Sequence, residues 1–189
     1  MTGFLILSLG VGFLGMNLFR YIILVGLILC SVTLGQENDK ETIQLWKFAA
    51  EQGNATAQYN LGLAYLNGRG VPKDPKEALR FIQLAVKHGN AHVQAKLGEI
   101  YYKGEGVDQD EKAAAKWWKL ASEQGHVGAQ YNLGTMYFMG QGVPKDYLKA
   151  FQWYSRAAEQ GNKNAIKGKS SVEKLMSPSQ KDELKRFKN

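Results

Sequence analysis

Three histidines, one cysteine and a thrice-repeated G-x-G are the residues of this 189-residue chain whose chemistry could go beyond packing. His88 and His92 stand at i and i+4, a spacing that can hold a metal on one helical face. Gly89 falls between them and breaks the helix, so they need not share a face, and no glutamate completes a metalloprotease pattern. His126 occupies the place that Asn54, Asn90 and Asn162 hold elsewhere, which marks it as a linker residue. Cys30 has no second cysteine with which to form a disulfide or a thiolate metal site. Gly68-Arg69-Gly70, Gly104-Glu105-Gly106 and Gly140-Gln141-Gly142 invite a dinucleotide reading. That fingerprint needs a strand before the loop and a third glycine, whereas these loops follow helical patterns. The chain has no G-x-S-x-G elbow, P-loop or Cys/His nucleophile pair. The sequence therefore points to no catalytic residue, no metal ligand and no cofactor.

The recurrence of the loops leads back to the elements that hold them. Residues 55–90, 91–126 and 127–162 share one grammar at a fixed shift of 36 residues. Such a period is the signature of a stacked repeat architecture. In each unit a first helix is predicted from apolar or small residues such as Ala57, Leu61, Ala64 and Tyr65 on one face. Gly62, Gly98 and Gly134 interrupt that helix, where glycine costs about 1 kcal/mol relative to alanine, so close approach of the partner helix is expected there. Gly68, Gly104 and Gly140 are placed to end it in the left-handed conformation. The connector continues with Val71, Val107 or Val143, positioned to tuck under the pair, and with Asp74, Asp110 or Asp146, positioned to cap the next helix. The second helix places Phe81 and Ile82, then Trp117 and Trp118, then Trp153 and Tyr154 among alanines on one face, a core pattern.

The flanks differ from the array. Residues 40–54 match 76–90 at the same offset and supply half a repeat, so 36–54 is read as an N-terminal cap. Residues 1–35 are almost uncharged. From Met16 they show a short n-region with Arg20, an apolar run and small residues before Gln36, the layout of a secretory signal peptide cleaved after Gly35. Two other readings stay open: an uncleaved membrane anchor, and a lipoprotein box at Leu27–Cys30 in which Leu29 stands where a small residue is wanted. Each puts residues 36–189 in an extracytoplasmic place, periplasmic or secreted. Of the net charge of +7, most lies in residues 163–189, which read as basic C-terminal cap helices. That tail lacks an interleaved aromatic platform, so nucleic acid is not expected as a partner.

Together the residues spell A-x-A-Q-x-x-L-G-x-x-Y-x-x-G-x-G-V-x-x-D-x-x-K-A-x-x-W-Y-x-x-A-A-E-Q-G-N, which resembles the Sel-one-like repeat (SLR), a relative of the tetratricopeptide repeat, over residues 40–168. The resemblance implies an all-α, right-handed α-solenoid of antiparallel helix pairs, with three full repeats, a half-repeat and terminal cap helices. It also implies a non-catalytic scaffold or adaptor that binds another protein. A cysteine-rich branch of the family is linked to β-lactam binding or hydrolysis. An envelope hydrolase related to it is the alternative reading, but the paired cysteines of that branch are absent. In such a solenoid the first helices line the concave surface, where exposed positions can vary between units without harming the stack. The candidate partner-binding residues are thus Tyr59, Asn60 and Leu63 in the first unit, Lys96, Glu99 and Lys103 in the second, and Tyr131, Asn132, Thr135 and Met139 in the third. A protein or peptide segment is the expected ligand, with the aromatic residues as anchors.

Overall fold

The structure, a computed structural model, describes residues 39–186. Among these the backbone is helical wherever it is regular: α1 Asp39–Glu51, α2 Ala55–Asn67, α3 Pro75–Val86, α4 Ala91–Lys103, α5 Glu111–Glu123, α6 Val127–Met139, α7 Tyr147–Glu159, α8 Lys163–Leu175 and α9 Pro178–Arg186. Helices pack on their chain neighbours, pair after pair, and this is the α-solenoid expected from the period. The repeats coincide with the sequence units: α2–α3, α4–α5 and α6–α7 are the three helix pairs, and α1 stands in the place of a second helix. The signal-peptide and anchor readings fall on residues outside the described ones.

The boundaries within the repeats have local causes. Asn54 Oδ1 accepts from the Ala57 amide at 2.9 Å, Asn90 Oδ1 from His92 at 2.9 Å, and Asn162 Oδ1 from Ala165 at 2.9 Å, so the linker asparagines cap α2, α4 and α8. Asp74, Asp110 and Asp146 cap α3, α5 and α7 through amides at 2.9–3.1 Å. Gly68, Gly104 and Gly140 close the first helices at φ of 70°, 72° and 78°. The connector then folds back, its aspartate amide donating to the carbonyl of Tyr65, Tyr101 or Tyr137 at 2.9 Å in each unit. An Asp110→Ala substitution is expected to destabilise the protein by about 1 kcal/mol, because the first turn of α5 would lose its acceptor. Urea denaturation followed by circular dichroism measures this, and an unchanged midpoint would deny the cap a role.

The core is a column of four linked clusters running along the stack. Each repeat sets one large side chain of its second helix against the mid-helix glycine of its first. A Cβ at Gly62 would meet Ile82 Cγ1 at 2.6 Å, one at Gly98 would meet Trp118 Cδ1 at 2.6 Å, and one at Gly134 would meet Tyr154 Cδ1 at 2.8 Å. The close approach expected at these glycines is therefore made by a side chain of the partner helix, joined at Gly62 by the Ala78 carbonyl, 3.1 Å from the added Cβ. Val71, Val107 and Val143 lie against the clusters as the spacing suggested. The second connector glycine does more than turn the chain: Gly106 is backed against the carbonyl of Pro75, and Gly142 against that of Glu111. These are contacts from one repeat to the backbone of the preceding one.

At the C-terminal end, Ala165, Val172, Met176 and Leu184 bury themselves on α7, while Lys163, Lys167 and Lys174 face outward. Ser177 and Gln180 form the expected reciprocal cap of α9, with the Gln180 amide donating to Ser177 Oγ at 3.2 Å and the Ser177 amide to Gln180 Oε1 at 2.9 Å. At the opposite end, Leu45 and Phe48 of α1 are exposed, whereas Phe81, the counterpart of Leu45 one period on, is buried.

Candidate functional site

The first helices α2, α4 and α6 bring the ten candidate positions into corresponding places along the stack, because each is set by the same cap and the same period. They do not form one homogeneous surface. Tyr59 is half-buried and packs against the cluster of Ile82, Val93, Leu97 and Ile100 between the first two repeats. Burial, with a smaller contribution from the Glu99 charge, pushes its hydroxyl pKa up. Tyr131 leans on Tyr154 with ring centroids 5.7 Å apart. Thr135 Oγ1 donates to the Tyr131 carbonyl at 3.1 Å and accepts from the Tyr154 hydroxyl at 2.9 Å. Burial raises the Tyr154 pKa, which keeps that hydroxyl a donor. Tyr59, Tyr131 and Thr135 are thus partly engaged in holding neighbouring helices.

The middle unit is electrostatic. Glu99 accepts from Lys96 Nζ at 3.0 Å and from Lys103 Nζ one turn on. Burial pushes the Glu99 carboxyl up, but the hydrogen bonds from Lys103 and Lys96 and their charges outweigh it and hold the group below the ordinary carboxylate value. Lys103 is raised in turn, chiefly by its hydrogen bond to Glu99, and also lies 3.8 Å from Glu105. This triad fixes three long side chains, and Glu105 beside Lys103 balances its excess positive charge.

Asn60, Leu63 and Asn132 are half-buried, and Met139 is 58% exposed. Among the described residues the amides of Asn60 and Asn132 have no side-chain hydrogen bond. These four positions have apolar or amide surface to offer a ligand without dismantling the stack. A partly buried amide without a partner favours a ligand that supplies one, such as peptide backbone.

The first helices are held to the second ones by a glutamine clasp that the sequence reading passed over. Gln124 Nε2 donates to Gln94 Oε1 at 2.7 Å, and Gln160 Nε2 to Gln130 Oε1 at 2.9 Å. In the first repeat the corresponding place is taken by His88, and Gln58 Oε1 is buried without a partner. The reading also missed that His92 meets His126 rather than His88. His126 Nε2 lies 3.1 Å from His92 Nδ1, the rings crossing edge to face with centroids 4.8 Å apart. A separation of 34 residues, two short of the period, was the available signal. Among the described residues no group of three or more His, Cys, Asp or Glu side chains is placed to share a metal ion, and no helix is long and apolar enough to cross a membrane.

Known proteins share this arrangement. The family described as Sel1 repeat matches residues 21–54, 55–90, 91–126 and 127–162. The first match begins within the apolar N-terminal stretch and so counts a unit where the period alone gave half of one. A Sel1 repeat protein from Oxalobacter formigenes is 40% identical, with a TM-score of 0.61 over 67% of this chain and 95% of that one. The protein c5321, a protective antigen of uropathogenic Escherichia coli with an SLR fold, is 38% identical with a TM-score of 0.68 over 78% of this chain, but only 30% of its own length is covered. Cysteine rich protein B of Helicobacter pylori is 19% identical with a TM-score of 0.54 over 71% of this chain and 96% of that one, a likeness of fold alone. No curated protein matches.

Proposed function

This chain belongs to the Sel1 repeat family, whose members generally serve as protein–protein interaction scaffolds, and we propose that it is a non-catalytic adaptor of the cell envelope or secreted space that holds a protein segment along its first helices. The observation that carries the binding reading is the set of first-helix positions where the repeats disagree while the stack stays intact: Asn60, Leu63, Asn132 and Met139 beside the Lys96–Glu99–Lys103 triad. Uncommitted amides can pair with the backbone of an extended segment, and Leu63 and Met139 offer it apolar contact. The extracytoplasmic part of the proposal is supported by the signal-peptide layout before Gln36. The absence of the cysteine pairs that mark the β-lactam-linked branch supports the non-catalytic part.

The binding reading is tested by replacing Asn60, Asn132 and Met139 together with alanine in the full-length chain and comparing proteins captured from an envelope extract by mass spectrometry. These positions are preferable to Tyr59 and Tyr131, whose loss would also disturb packing. The triple variant is expected to keep its melting temperature and to bind the captured partner at least about tenfold more weakly, since a single interface anchor commonly costs 1 kcal/mol or more. Equal capture by both proteins would reject this face. N-terminal sequencing of the mature protein tests the address separately, with Gln36 the expected first residue.

A further inference from the structure

The joint between the second and third repeats differs in kind from the other joints of the array. At those, the linker residue capping the first helix is Asn54, Asn90 or Asn162, none of which titrates. Here it is His126, whose Nδ1 accepts from the Ala129 amide at 3.1 Å. An amide can only donate, so Nδ1 carries no proton and the neutral ring holds its proton on Nε2. That Nε2 lies 3.1 Å from His92 Nδ1, which must then be the acceptor, leaving the His92 proton on its own Nε2. One backbone amide thus fixes the tautomer of two rings. Both lone pairs of the histidine pair are in use, one toward Ala129 and one toward His126.

A proton arriving at His126 has no vacant place. It must go to Nδ1, where an N–H would face the Ala129 N–H and the cap would be lost. We propose that this joint is a proton-operated hinge, at which acidification uncaps α6 and loosens the third repeat against the second while the asparagine-capped joints stay closed.

The surroundings agree. Burial first, then the proximity of His92, lowers the His126 pKa from the ordinary histidine value of 6.5. Of the charged groups on the neighbouring elements, Lys96 on α4 is held by Glu99 at 3.0 Å, and Glu123 on α5 lies 3.9 Å from Lys119. His88, at the end of the preceding pair, is exposed, and α6 carries no charged side chain. Ala91, Gln124, Gly125, Val127 and Gly128 line an open cleft around the two rings, so solvent protons reach them. Because the folded value is depressed, the unfolded chain binds more protons near pH 6. The stabilisation is therefore complete above about pH 6.5 and is lost as pH falls toward the folded value.

Amide hydrogen exchange of the full-length chain between pH 7.5 and 5.0 reads the hinge directly, with Ala57 and Ala165 as references because asparagines cap them. After correction for intrinsic rates, Ala129 protection is expected to fall roughly tenfold more than that of either reference, as loss of one cap predicts. His126→Asn, which restores the linker residue of the other joints, is expected to remove that difference and to flatten the melting temperature across the range. Ala129 tracking Ala57 and Ala165 throughout would overturn the proposal, and so would an H126N protein that keeps the wild-type pH dependence. The wild-type comparison decides even if that variant folds poorly.

Discussion

Gly142→Val is expected to destabilise the array by about 3–5 kcal/mol and to broaden its unfolding. Two costs combine. Gly142 sits at φ 64°, where a residue with a Cβ carries roughly 1–3 kcal/mol of strain. Its Cβ would also press on the carbonyl of Glu111 and stand 2.9 Å from the Lys112 amide nitrogen. These obstacles are backbone at the start of α5, so relief requires the third repeat to move off the second, and overpacking of that kind adds about 1–3 kcal/mol. In a solenoid each unit is stabilised through its neighbours, so a wedge at one interface uncouples the units on either side. Gly125 provides the control: it has φ 86° but nothing within 4 Å of a Cβ, and Gly125→Val is expected to show the strain without the wedge. Thermal unfolding of the two variants measures the difference, and equal losses would show that no inter-repeat contact is at stake.

Gly98→Leu is the second large effect, expected at about 3 kcal/mol despite the helix propensity of about 1 kcal/mol that leaving glycine regains. The obstacle is Trp118, 4% exposed, whose Cδ1 and Nε1 would lie 2.6 and 2.7 Å from the added Cβ. The ring cannot swing away cheaply, because Nε1 donates to the Ala95 carbonyl at 3.1 Å and its face meets Tyr102 at 5.3 Å. Gly62→Leu is expected to cost a similar amount, because there the added Cβ would meet the buried, β-branched Ile82 at Cγ1 and lie 3.1 Å from the Ala78 carbonyl. A double variant Gly98→Ala/Trp118→Leu should recover stability relative to Gly98→Ala alone, since the smaller side chain vacates the contact. Denaturant midpoints of the series check the order, and a Gly98→Leu protein as stable as the parent would remove the packing role.

Period, caps and turns were legible in the residues because each is a short-range rule repeated in all three copies. Asp74, Asp110 and Asp146 cap within their own first turn, and Gly68, Gly104 and Gly140 must take positive φ whatever surrounds them. The candidate face was legible only as a row. Register alone placed Tyr59, Glu99 and Thr135 on first helices, but it could not separate side chains that brace the stack from those left uncommitted. Tyr59 turns into the cluster of the next repeat and Thr135 into Tyr154, because the stack brings residues some twenty to forty positions apart into contact.

By itself, then, the sequence determined the all-helical repeat, its 36-residue boundaries, its caps and its lack of catalytic motifs, all of which depend on residues within one or two turns of each other. Only the tertiary structure decided which aromatic of each pair is the core ring: Trp118 is buried on Gly98, while Trp117 lies half-buried against the preceding cluster. It also decided that Gly106 and Gly142 are backbone-to-backbone contacts between repeats, and that His92 meets His126 rather than His88. The physical reason is the same in each case. Stacking fixes distances between units, and no pattern within one unit encodes them.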